Sequence, residues 1–357
     1  MVVGIVGGGA AGLTIASLAK SVDIHLFEEH KEVGKPPHCT GLVGLYTAKF
    51  YSSLLGPKIV LNTYKKIFFH TPKKTFRLIS QKPIAYKLDR ILLEEKLFDR
   101  AQALGHKVYL GEKARKIDSD SIITSKRCIR VDKIVIAEGA KRFFAKQLTN
   151  KTIDHIMGTQ WLVEARDMDR NAFHTIFLRT NPYFFAWLVP INDEQALMGI
   201  GYRKYLVKKE KLARIIEKKT GVKVIRIGRA FGGLIPVGIP VKPVVDNKYL
   251  IGDALPASKP FTGGGLYSIA YLAPYLAKEL EGNVGIYDKI VKKLRRKLKI
   301  QYLAYLGSSR TVGTWIIPYV LGLFIEAGLE IEPRDYDEHD RILFKAIKYP
   351  FKNLFHR

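Results

Sequence analysis

The stretch that decides the fold is VVGIVGGGAAGLTIASLAKSVDIHLFE, residues 2–28. It predicts a short buried strand, a glycine-rich turn, a helix, and a second strand that ends on an acidic residue. These parts are, in order, residues 2–6, then Gly7, Gly9 and Gly12 in the spacing G-x-G-x-x-G, residues 13–20, residues 22–27 and Glu28. This order is that of a βαβ unit, and it predicts a Rossmann-like nucleotide-binding domain at the start of the chain.

The three glycines have different expected roles. Gly7 allows the chain to turn sharply out of the strand, and Gly12 lets the helix pack closely against that strand. Gly9 has no Cβ, so a pyrophosphate can approach the backbone and meet the free N–H groups and positive dipole end of the helix. Glu28 is expected to accept hydrogen bonds from an adenosine ribose. Because all of these parts occur together, we predict a dinucleotide site rather than an ordinary glycine-rich turn.

Length and composition limit the class of protein. With 357 residues, 47% of them hydrophobic, the chain has room for one to three folded domains. Its two cysteines, Cys39 and Cys128, make neither a disulfide framework nor a zinc pattern, so we expect a reducing, cytoplasmic compartment and no metal site. No signal peptide is expected, because the first strand begins at residue 2. The most apolar stretch, residues 312–325, is shorter than the about 20 residues that span a bilayer, and predicts either a buried helix pair or a membrane-surface contact.

The net charge of +26 indicates an anionic partner. No nucleic acid is expected, since the sequence has no zinc-finger, RNA-recognition or helix-turn-helix pattern. The densest basic run, KKLRRKLK at residues 292–299, has apolar residues at helical spacing and predicts an amphipathic helix with a basic outer face. That face is either simply solvated or docks on an acidic protein or a membrane surface.

Residues 344–357 mix aromatic and basic side chains, and they predict either a packed segment or a peripheral contact with the inner membrane face.

The order of the predicted elements indicates an interrupted domain. From about residue 153, long alternating segments predict an antiparallel sheet, and the apolar strand at residues 249–251 then returns to the nucleotide-binding domain. The fold class is therefore α/β: a Rossmann-like domain, an inserted antiparallel β-sheet substrate domain and a C-terminal helical region. The predicted boundaries are 1–150 and 243–285 for the nucleotide-binding domain, 151–242 for the substrate domain and 286–357 for the helical region.

A second glycine signal selects the dinucleotide. The returning strand ends on Gly252-Asp253-Ala254, and the glycine-rich turn Pro260–Leu266 follows it. An acid at a strand end can bind a polyol, and N–H groups at a helix start can hold the pyrimidine edge of a flavin or a pyrophosphate. This combination favours FAD, with Asp253 on the ribityl chain. The N–H groups expected to face the flavin are those of Gly264, Gly265 and Leu266.

Several motifs together resemble the FAD-dependent geranylgeranyl reductase family, which lies within the para-hydroxybenzoate hydroxylase-like flavoproteins. The resemblance covers roughly residues 1–285. It rests on GGGAAG at residues 7–12 with Glu28, PHCTG at residues 37–41, Asp89-Arg90, FAWLVP at residues 185–190, GDA at residues 252–254 and PFTGGG at residues 260–265. Two positions depart from the reductase pattern Y-x-W-x-F-P, where this chain has Phe185 and Val189.

The resemblance implies roles for further residues. Ala10 and Ala11 belong to the first glycine turn, and the loop of Cys39 and Thr40 lies along the flavin in this family. Arg90 and Ala114 would also lie at the cofactor. The aromatic strand would shape a lipid pocket. The expected pocket walls are Phe184, Phe185, Trp187 and Phe261, although the same residues also suit ordinary sheet packing.

The reaction expected from this resemblance is the reduction of isolated C=C bonds in prenyl (geranylgeranyl) chains of isoprenoid lipids. An unactivated alkene has no carbonyl to polarise, so catalysis depends on positioning the bond over the flavin in a dry channel. Cys39 is the candidate catalytic residue, as a proton donor or as a group that tunes the flavin, with an inert buried thiol as the alternative.

The sequence leaves the electron donor and two alternative functions open. A second G-x-G-x-x-G motif is absent, so we expect the donor to be either a reduced nicotinamide that docks at the flavin or an acidic ferredoxin attracted by the positive charge. The alternative enzyme is a flavin-dependent monooxygenase or halogenase on the same scaffold, which would consume O2. A non-enzymatic basic protein with a structural FAD is the third interpretation.

Overall fold

A computed structural model of the chain describes residues 1–204 and 206–354, with side chains described as far as Tyr349. The elements are numbered along the chain. The strands are β1 (Val2–Val6), β2 (Asp23–Glu28), β3 (Leu42–Val43), β4 (Val60–Tyr64), β5 (Lys66–His70), β6 (Thr75–Ile79), β7 (Ala85–Leu88), β8 (Lys107–Leu110), β9 (Ala114–Ile117), β10 (Ser121–Thr124), β11 (Cys128–Arg130), β12 (Lys133–Ile136), β13 (Asp154–Arg166), β14 (Ala172–Ile176), β15 (Ala186–Pro190), β16 (Gln195–Tyr202), β17 (Lys223–Val237), β18 (Val244–Val245) and β19 (Lys248–Leu250).

The α-helices are α1 (Ala10–Leu18), α2 (Leu45–Leu55), α3 (Arg90–Ala103), α4 (Phe143–Thr149), α5 (Lys209–Thr220), α6 (Leu266–Leu280), α7 (Ile286–Arg310), α8 (Ile316–Glu326) and α9 (His339–Leu354). Short 3-10 turns occupy Pro57–Ile59, Gly139–Lys141, Gly252–Ala254 and Pro333–Tyr336.

The first sheet is the predicted nucleotide-binding sheet, with strand order β18-β19-β12-β1-β2-β8. Its five strands from β19 to β8 are parallel, and only β18 is antiparallel to its neighbour. Strands β1 and β12 are almost entirely buried. Helix α1 packs on one face of β1, where Gly12 meets Ile5, and the small sheet of β9, β10 and β11 packs on the other, where Gly4 meets Ile122. The carboxyl end of β1 lies at the centre of the sheet, where the chain enters the glycine turn and α1.

The second sheet has seven strands in the order β17-β13-β16-β15-β14-β5-β6. All of its pairs are antiparallel except β5 with β14. The predicted hairpin at residues 65–79 is present as β5 and β6, but it pairs with this sheet rather than with the nucleotide-binding sheet. Residues 1–150, which the sequence assigns to one domain, therefore also supply two strands to the other.

The two faces of the second sheet have different environments. Helix α5 covers one face with its buried residues Leu212, Ala213 and Ile216, which pack in one cluster with side chains of β13 and β16. The other face, which carries Phe173 and Trp187, packs with aromatic and aliphatic side chains of the C-terminal helices. This second face therefore borders an interior space between the sheet and the helices.

The C-terminal helices are held against the rest of the molecule by specific contacts. The buried Asp337 caps α2, because its carboxylate accepts hydrogen bonds from the N–H groups of Gly44 (3.2 Å), Tyr46 (2.8 Å) and Thr47 (3.3 Å). Helix α8 lies against β6, where a Cβ on Gly322 would collide with the ring of Phe76. These contacts place α8 and α9 over the open face of the second sheet.

Most of the local predictions agree with these elements. Asp89 caps α3 by accepting from the N–H groups of Ile91 (3.0 Å) and Leu92 (3.1 Å), as its position at the helix start predicts. The basic run at residues 292–299 lies on α7, whose buried positions include Val291, Leu294 and Leu298. The prediction for residues 344–357 extends beyond residue 354, and its last three residues lie outside the described part of the chain.

Residues 312–325 contain one helix, α8, instead of a buried helix pair, and Val320 and Leu323 on it are 40% and 43% exposed. Pro318 does not divide this stretch, because it is the third residue of α8, in the first turn, where its missing N–H has no helical partner to lose. Within residues 1–204 and 206–354, no helix combines the length and the apolar character needed to span a membrane.

Candidate active site

One cavity of about 2190 Å³ lies between the nucleotide-binding sheet, the second sheet and helices α8 and α9. It brings together residues that are more than 250 positions apart in the sequence. Of the residues predicted to bind cofactor or substrate, all except Gly12 line it: Gly7, Gly9, Ala10, Ala11, Glu28, Cys39, Thr40, Arg90, Ala114, Phe184, Phe185, Trp187, Asp253, Phe261, Gly264, Gly265 and Leu266.

The first glycine turn has the geometry that the sequence predicts. Gly7 has a φ of 105°, a conformation that L side chains rarely adopt. Gly12 packs so closely that a Cβ there would collide with the carbonyl oxygen of Gly7, which explains why it lies behind the cavity wall. A Cβ on Gly9, by contrast, would have no atom within 4 Å. Gly9 therefore leaves open space at the N-terminus of α1, where an anion can approach the backbone.

Glu28 lies beside this turn and already has hydrogen-bond partners. Its Oε2 accepts from the N–H of Gly8 at 2.7 Å, and its Oε1 accepts from the N–H of His30 at 2.8 Å. The carboxylate therefore joins the glycine turn to the start of the next loop. Its Oε1 also lies 2.6 Å from Nδ1 of His30, whereas Oε2 keeps a second lone pair and the side chain lines the cavity, so the role on a ribose stays a prediction.

The second glycine turn surrounds a half-buried acid. Asp253 accepts a hydrogen bond from the Oγ of Ser258 at 2.8 Å, and burial raises the pKa of its carboxyl. The turn is closed by the N–H of Gly263, which donates to the carbonyl of Lys259 at 2.8 Å. Helix α6 then begins at Leu266. In the described part of the chain, the N–H groups of residues 264–266 donate to no other residue, so they are free to bind a ligand.

The cysteine loop crosses from the first sheet to the second. The imidazole of His38 donates to the carbonyl of Gly232 at 2.7 Å, and the hydroxyl of Thr40 donates to Oε1 of the buried Gln160 at 2.9 Å. The Sγ of Cys39 accepts from the N–H of Gly41 at 3.3 Å, and its side chain is exposed to the cavity. The loop is thus held against β17 and β13 of the second sheet, and its thiol lines the interior space.

Two basic side chains lie behind this loop. Arg90 pairs with Glu94, and its Nε is buried with no partner among the described residues. Lys87 donates to the carbonyl of Leu88 at 2.8 Å, and burial lowers the pKa of its ammonium to about 8. Sequence reasoning missed Lys87, since a lysine in a short alternating strand normally points to solvent. The buried Nε of Arg90 is an unused donor in the cavity wall and fits a polar cofactor edge.

The aromatic residues of β15 and the segment before it form an apolar chamber at the far end of the cavity. Phe184 and Phe185 stack with ring centroids 4.4 Å apart, and Trp187 meets Phe185 edge-on at 6.0 Å. Two glycines of the neighbouring strand β16 make this possible, because a Cβ on Gly199 or Gly201 would collide with Trp187 or Phe184. On the opposite side, Phe261 meets Tyr305 edge-on at 6.0 Å.

Helices α8 and α9 form the remaining wall of the chamber, which sequence reasoning left without a role. Apolar periodicity predicts that such helices bury one face, but it does not say against what. The side chains they add to the wall are Ile316, Ile317, Val320, Leu321, Phe324, Ile342, Leu343, Ala346 and Ile347. The chamber is therefore apolar on the side of the sheet and on the side of the helices.

The arrangement fits FAD. The contacts that a pyrophosphate, a ribityl chain and a flavin edge require are supplied by a turn without side chains at Gly9, free N–H groups at the start of α6, the half-buried Asp253 and the unpaired Nε of Arg90. A parallel sheet with this turn, interrupted by a second sheet that covers the same cavity, defines a Rossmann-type flavoprotein of the para-hydroxybenzoate hydroxylase-like fold.

Comparison with known proteins narrows this class. No protein-family model matches the chain. It is 27% identical over 310 residues to the uncharacterized protein MJ1520 of Methanocaldococcus jannaschii, covering 80% of this chain and 78% of the relative. It is 25% identical over 290 residues to the digeranylgeranylglycerophospholipid reductase of Methanosarcina acetivorans, covering 73% of this chain and 70% of that reductase.

Solved structures with a similar fold include a reductase-like protein and a halogenase. A geranylgeranyl bacteriochlorophyll reductase-like protein of Thermoplasma acidophilum superposes with a TM-score of 0.71 at 19% identity, covering 97% of this chain and 95% of that one. A mutant of the halogenase PltM in complex with FAD superposes with a TM-score of 0.65 at 13% identity, covering 94% of this chain and 84% of that one.

These similarities support the FAD-dependent geranylgeranyl reductase family, which the resemblance in the sequence predicts. The predictions of an α/β flavoprotein fold, of an FAD-dependent oxidoreductase and of FAD as its cofactor are confirmed at this level. The individual binding residues, the domain boundaries and the substrate stay predictions.

Proposed function

We propose that this protein reduces C=C bonds in the prenyl chains of isoprenoid lipids, with FAD as its hydride carrier. The observation that carries the proposal is the single cavity, which has both glycine turns at one end and the apolar chamber at the other. The curated relatives named digeranylgeranylglycerophospholipid reductase support a prenyl substrate.

The size of the cavity supports two ligands. Pockets for drug-sized molecules occupy about 300–1,000 Å³. The cavity here, at about 2190 Å³, has room for a dinucleotide and for part of a long chain beside it. The chamber offers that chain aromatic and branched aliphatic side chains, with Trp187 and Phe184 on the sheet side and α8 on the other.

The residues of the chain then have defined tasks. When bound and reduced, FAD supplies a hydride to the alkene. Phe184, Phe185 and Trp187 position the alkene and, together with α8 and α9, exclude water from it, which is the main contribution a protein can make to an unpolarised bond. Cys39 directs its Sγ into the cavity and is the proposed source of the proton, so each reduced bond gains two hydrogens in total.

The experiment that tests the reaction is anaerobic incubation of the FAD-loaded protein with dithionite and a digeranylgeranyl phospholipid, followed by mass spectrometry of the extracted lipid. A gain of two hydrogens per double bond supports the proposal. Consumption of O2 together with a hydroxylated or halogenated product would identify the monooxygenase or halogenase alternative instead. FAD-loaded protein without any lipid turnover would favour a structural role for the cofactor.

Cys39→Ala tests the proton donor, with Cys128→Ala as the matched control. Cys128 is also an exposed free thiol, but it lies on β11 and does not line the cavity. We expect alkene reduction to fall at least about tenfold in Cys39→Ala, with FAD still bound, and to be unchanged in Cys128→Ala. Unchanged turnover in both variants would remove Cys39 from the mechanism.

For the electron donor, we propose an acidic ferredoxin over a nicotinamide. The net charge of +26 would attract such a partner over long distances. Stopped-flow reduction of the flavin should then slow steeply as salt rises from low to physiological concentration. Reduction by ferredoxin that does not depend on salt, or equally fast reduction by NADPH, would contradict this choice.

We also propose that the protein docks peripherally on an anionic membrane at the inner face. Apolar side chains exposed on the C-terminal helices are Ile300 (37%), Leu303 (57%), Val320 (40%), Leu323 (43%), Phe344 (47%) and Ile347 (63%). Val320 and Ile347 also line the cavity, so a lipid chain has a short path from the surface into the chamber. Co-sedimentation with anionic but not with neutral vesicles is expected, and equal recovery with both would contradict it.

A further inference from the structure

Lys259 is a buried cation in the second glycine turn. Its side chain is 4% exposed and lines the cavity, and its Nζ donates to the carbonyl of Tyr336 at 3.0 Å. The ammonium also lies 5.7 Å from the ring centroid of Tyr267 and 5.4 Å from that of Tyr336. One carbonyl and two ring faces are weak partners for a charge removed from water.

Among the described side chains, no carboxylate oxygen lies within 4.0 Å of this ammonium. The acid that acts on it electrostatically, Asp337, is occupied by the N-terminus of α2. The acid on its own loop, Asp253, accepts from Ser258 instead. Burial lowers the pKa of Lys259, with Asp337 opposing the change, and His339 beside it is held neutral because burial and then Lys259 lower its pKa. The ammonium of Lys259 is thus left without a direct ion-pair partner among the described residues of the cavity wall.

The position of Lys259 indicates where a counter-charge would come from. Its backbone closes the turn, since its N–H donates to the carbonyl of Gly264 and its carbonyl accepts from the N–H groups of Thr262 and Gly263. A Cβ on Gly264 would lie 3.6 Å from the Nζ of Lys259. The ammonium is therefore next to the backbone whose free N–H groups are expected to face the pyrimidine edge of the flavin.

We propose that Lys259 places its positive charge against the pyrimidine edge of FAD and stabilises the reduced ring as an anion. The inference rests on the proposed binding of FAD. It assigns to this chain a cation that tunes the cofactor, in addition to the helix end and the backbone donors. Charge beside the ring nitrogens is one of the few means by which a protein sets the electronics of a flavin.

The charge of the reduced ring can be measured without any substrate. Two-electron reduction takes up two protons when the reduced ring is neutral and one proton when it is an anion. The slope of the midpoint potential against pH therefore halves above the pH at which the reduced ring loses its proton. The pH at which the slope changes is called the break. A nearby ammonium moves the break to lower pH, by about one to three units for a charge within about 4–6 Å.

The test compares neutral and charged variants of the FAD-loaded protein. Lys259→Met and Lys259→Gln remove the charge, and Lys259→Arg keeps it. Lys297→Met is the matched control, because Lys297 pairs with Glu338 at 2.6 Å and holds the same C-terminal segment from α7. The ionisable groups around Lys259 are unchanged in all of these variants, so their titration affects the pH of the break equally in each. These groups are Asp253, Asp337, His339, Tyr267 and Tyr336.

We expect the break to move up by at least about one pH unit in both neutral variants, and to stay in place in Lys259→Arg and Lys297→Met. Loss of FAD from both neutral variants, with a native circular-dichroism spectrum and with FAD retained in Lys259→Arg, would also support a charge contact. An unchanged break in either neutral variant would overturn the proposal.

Two other outcomes separate this inference from its premises. If the neutral variants keep the break but bind the prenyl phospholipid about tenfold more weakly, the ammonium serves the phosphate of the lipid and the proposal is wrong. If the wild-type protein binds no FAD on reconstitution, the proposed function itself fails, whatever the variants do.

Discussion

Replacing Gly9 by alanine separates the role of the first glycine turn in folding from its role in binding. Gly9 has φ and ψ of −79° and −170°, which alanine adopts without strain, and a Cβ there would have no neighbour within 4 Å. Gly12→Ala is the contrasting variant, since its Cβ would collide with the carbonyl oxygen of Gly7. Both substitutions add one methyl group, at the start of α1 for Gly9 and in its first turn for Gly12.

The expected magnitudes follow from these contacts. For Gly9→Ala, the lower chain entropy of the unfolded state contributes about 0.4–1 kcal/mol, and the poorer helix cap costs a similar amount. The free energy of unfolding of the apoprotein should therefore stay within about 1 kcal/mol of the wild type. Gly12→Ala should lose about 1–3 kcal/mol, the usual cost of overpacking a tight contact. For FAD, the Gly9 methyl enters the space of the pyrophosphate, and affinity should fall at least about tenfold, or about 1.4 kcal/mol.

Urea unfolding of the apoprotein, followed by circular dichroism, measures the stability of each variant. Quenching of flavin fluorescence on titration with apoprotein measures the affinity for FAD. The reasoning would be refuted if Gly9→Ala bound FAD as tightly as the wild type, because the open space at Gly9 would then not be the phosphate site. It would also fail if Gly12→Ala were as stable as Gly9→Ala.

Three further perturbations follow from the structure. Asp337→Ala should destabilise the protein by about 3 kcal/mol in urea unfolding, because it leaves the N-terminus of α2 without its buried cap, whereas Glu326→Gln at the exposed pair with Lys74 should change stability by less than about 0.5 kcal/mol. The stacked pair His70 and His174, joined at 3.0 Å, has pKa values lowered to about 3 and about 4 by burial, so the folded state binds fewer protons than the unfolded one. The neutral pair therefore makes its full contribution to the free energy of unfolding above pH 6.5, the pKa of an unperturbed histidine. That free energy should fall by about 1–2 kcal/mol per histidine by pH 5. The double variant His70→Phe with His174→Phe should lose less stability between these two pH values, as measured by unfolding curves recorded above pH 6.5 and at pH 5. Leu321→Trp should fill part of the chamber and lower turnover of a full-length prenyl chain more than that of a shorter one, with FAD titration unchanged; equal effects on both chain lengths would argue against a substrate path along α8.

The local elements followed from local physics. The turn at Gly7, the cap at Asp89 and the amphipathic helix around Leu294 each depend on residues close together in the chain, and such patterns can be interpreted without knowing the rest of the fold. The hairpin at residues 65–79 shows where this approach ends. Its alternation predicted two strands correctly, but nothing in those residues indicates that β5 pairs with β14.

In the candidate site, too, some features could be predicted from local motifs and others depend on tertiary contacts. The two glycine turns, Asp253 and the aromatic strand could be found because each belongs to a compact motif with a known chemical purpose. Lys259 could not be recognised in this way, since a lysine in a loop is normally solvated, and its burial depends on Tyr336, 77 positions away. The apolar side chains of α8 likewise gave no indication that they would close a chamber over Trp187.

The amino-acid sequence alone determined the cofactor class. FAD is held mainly by backbone N–H groups at glycine turns and by carboxylates at strand ends, and both are short local motifs that can be recognised in a sequence. Only the tertiary structure decided the shape of the chamber and which charges remain without a partner. Both depend on desolvation, and whether a side chain loses its water is settled by segments that are remote in the sequence and come together only when the chain is folded.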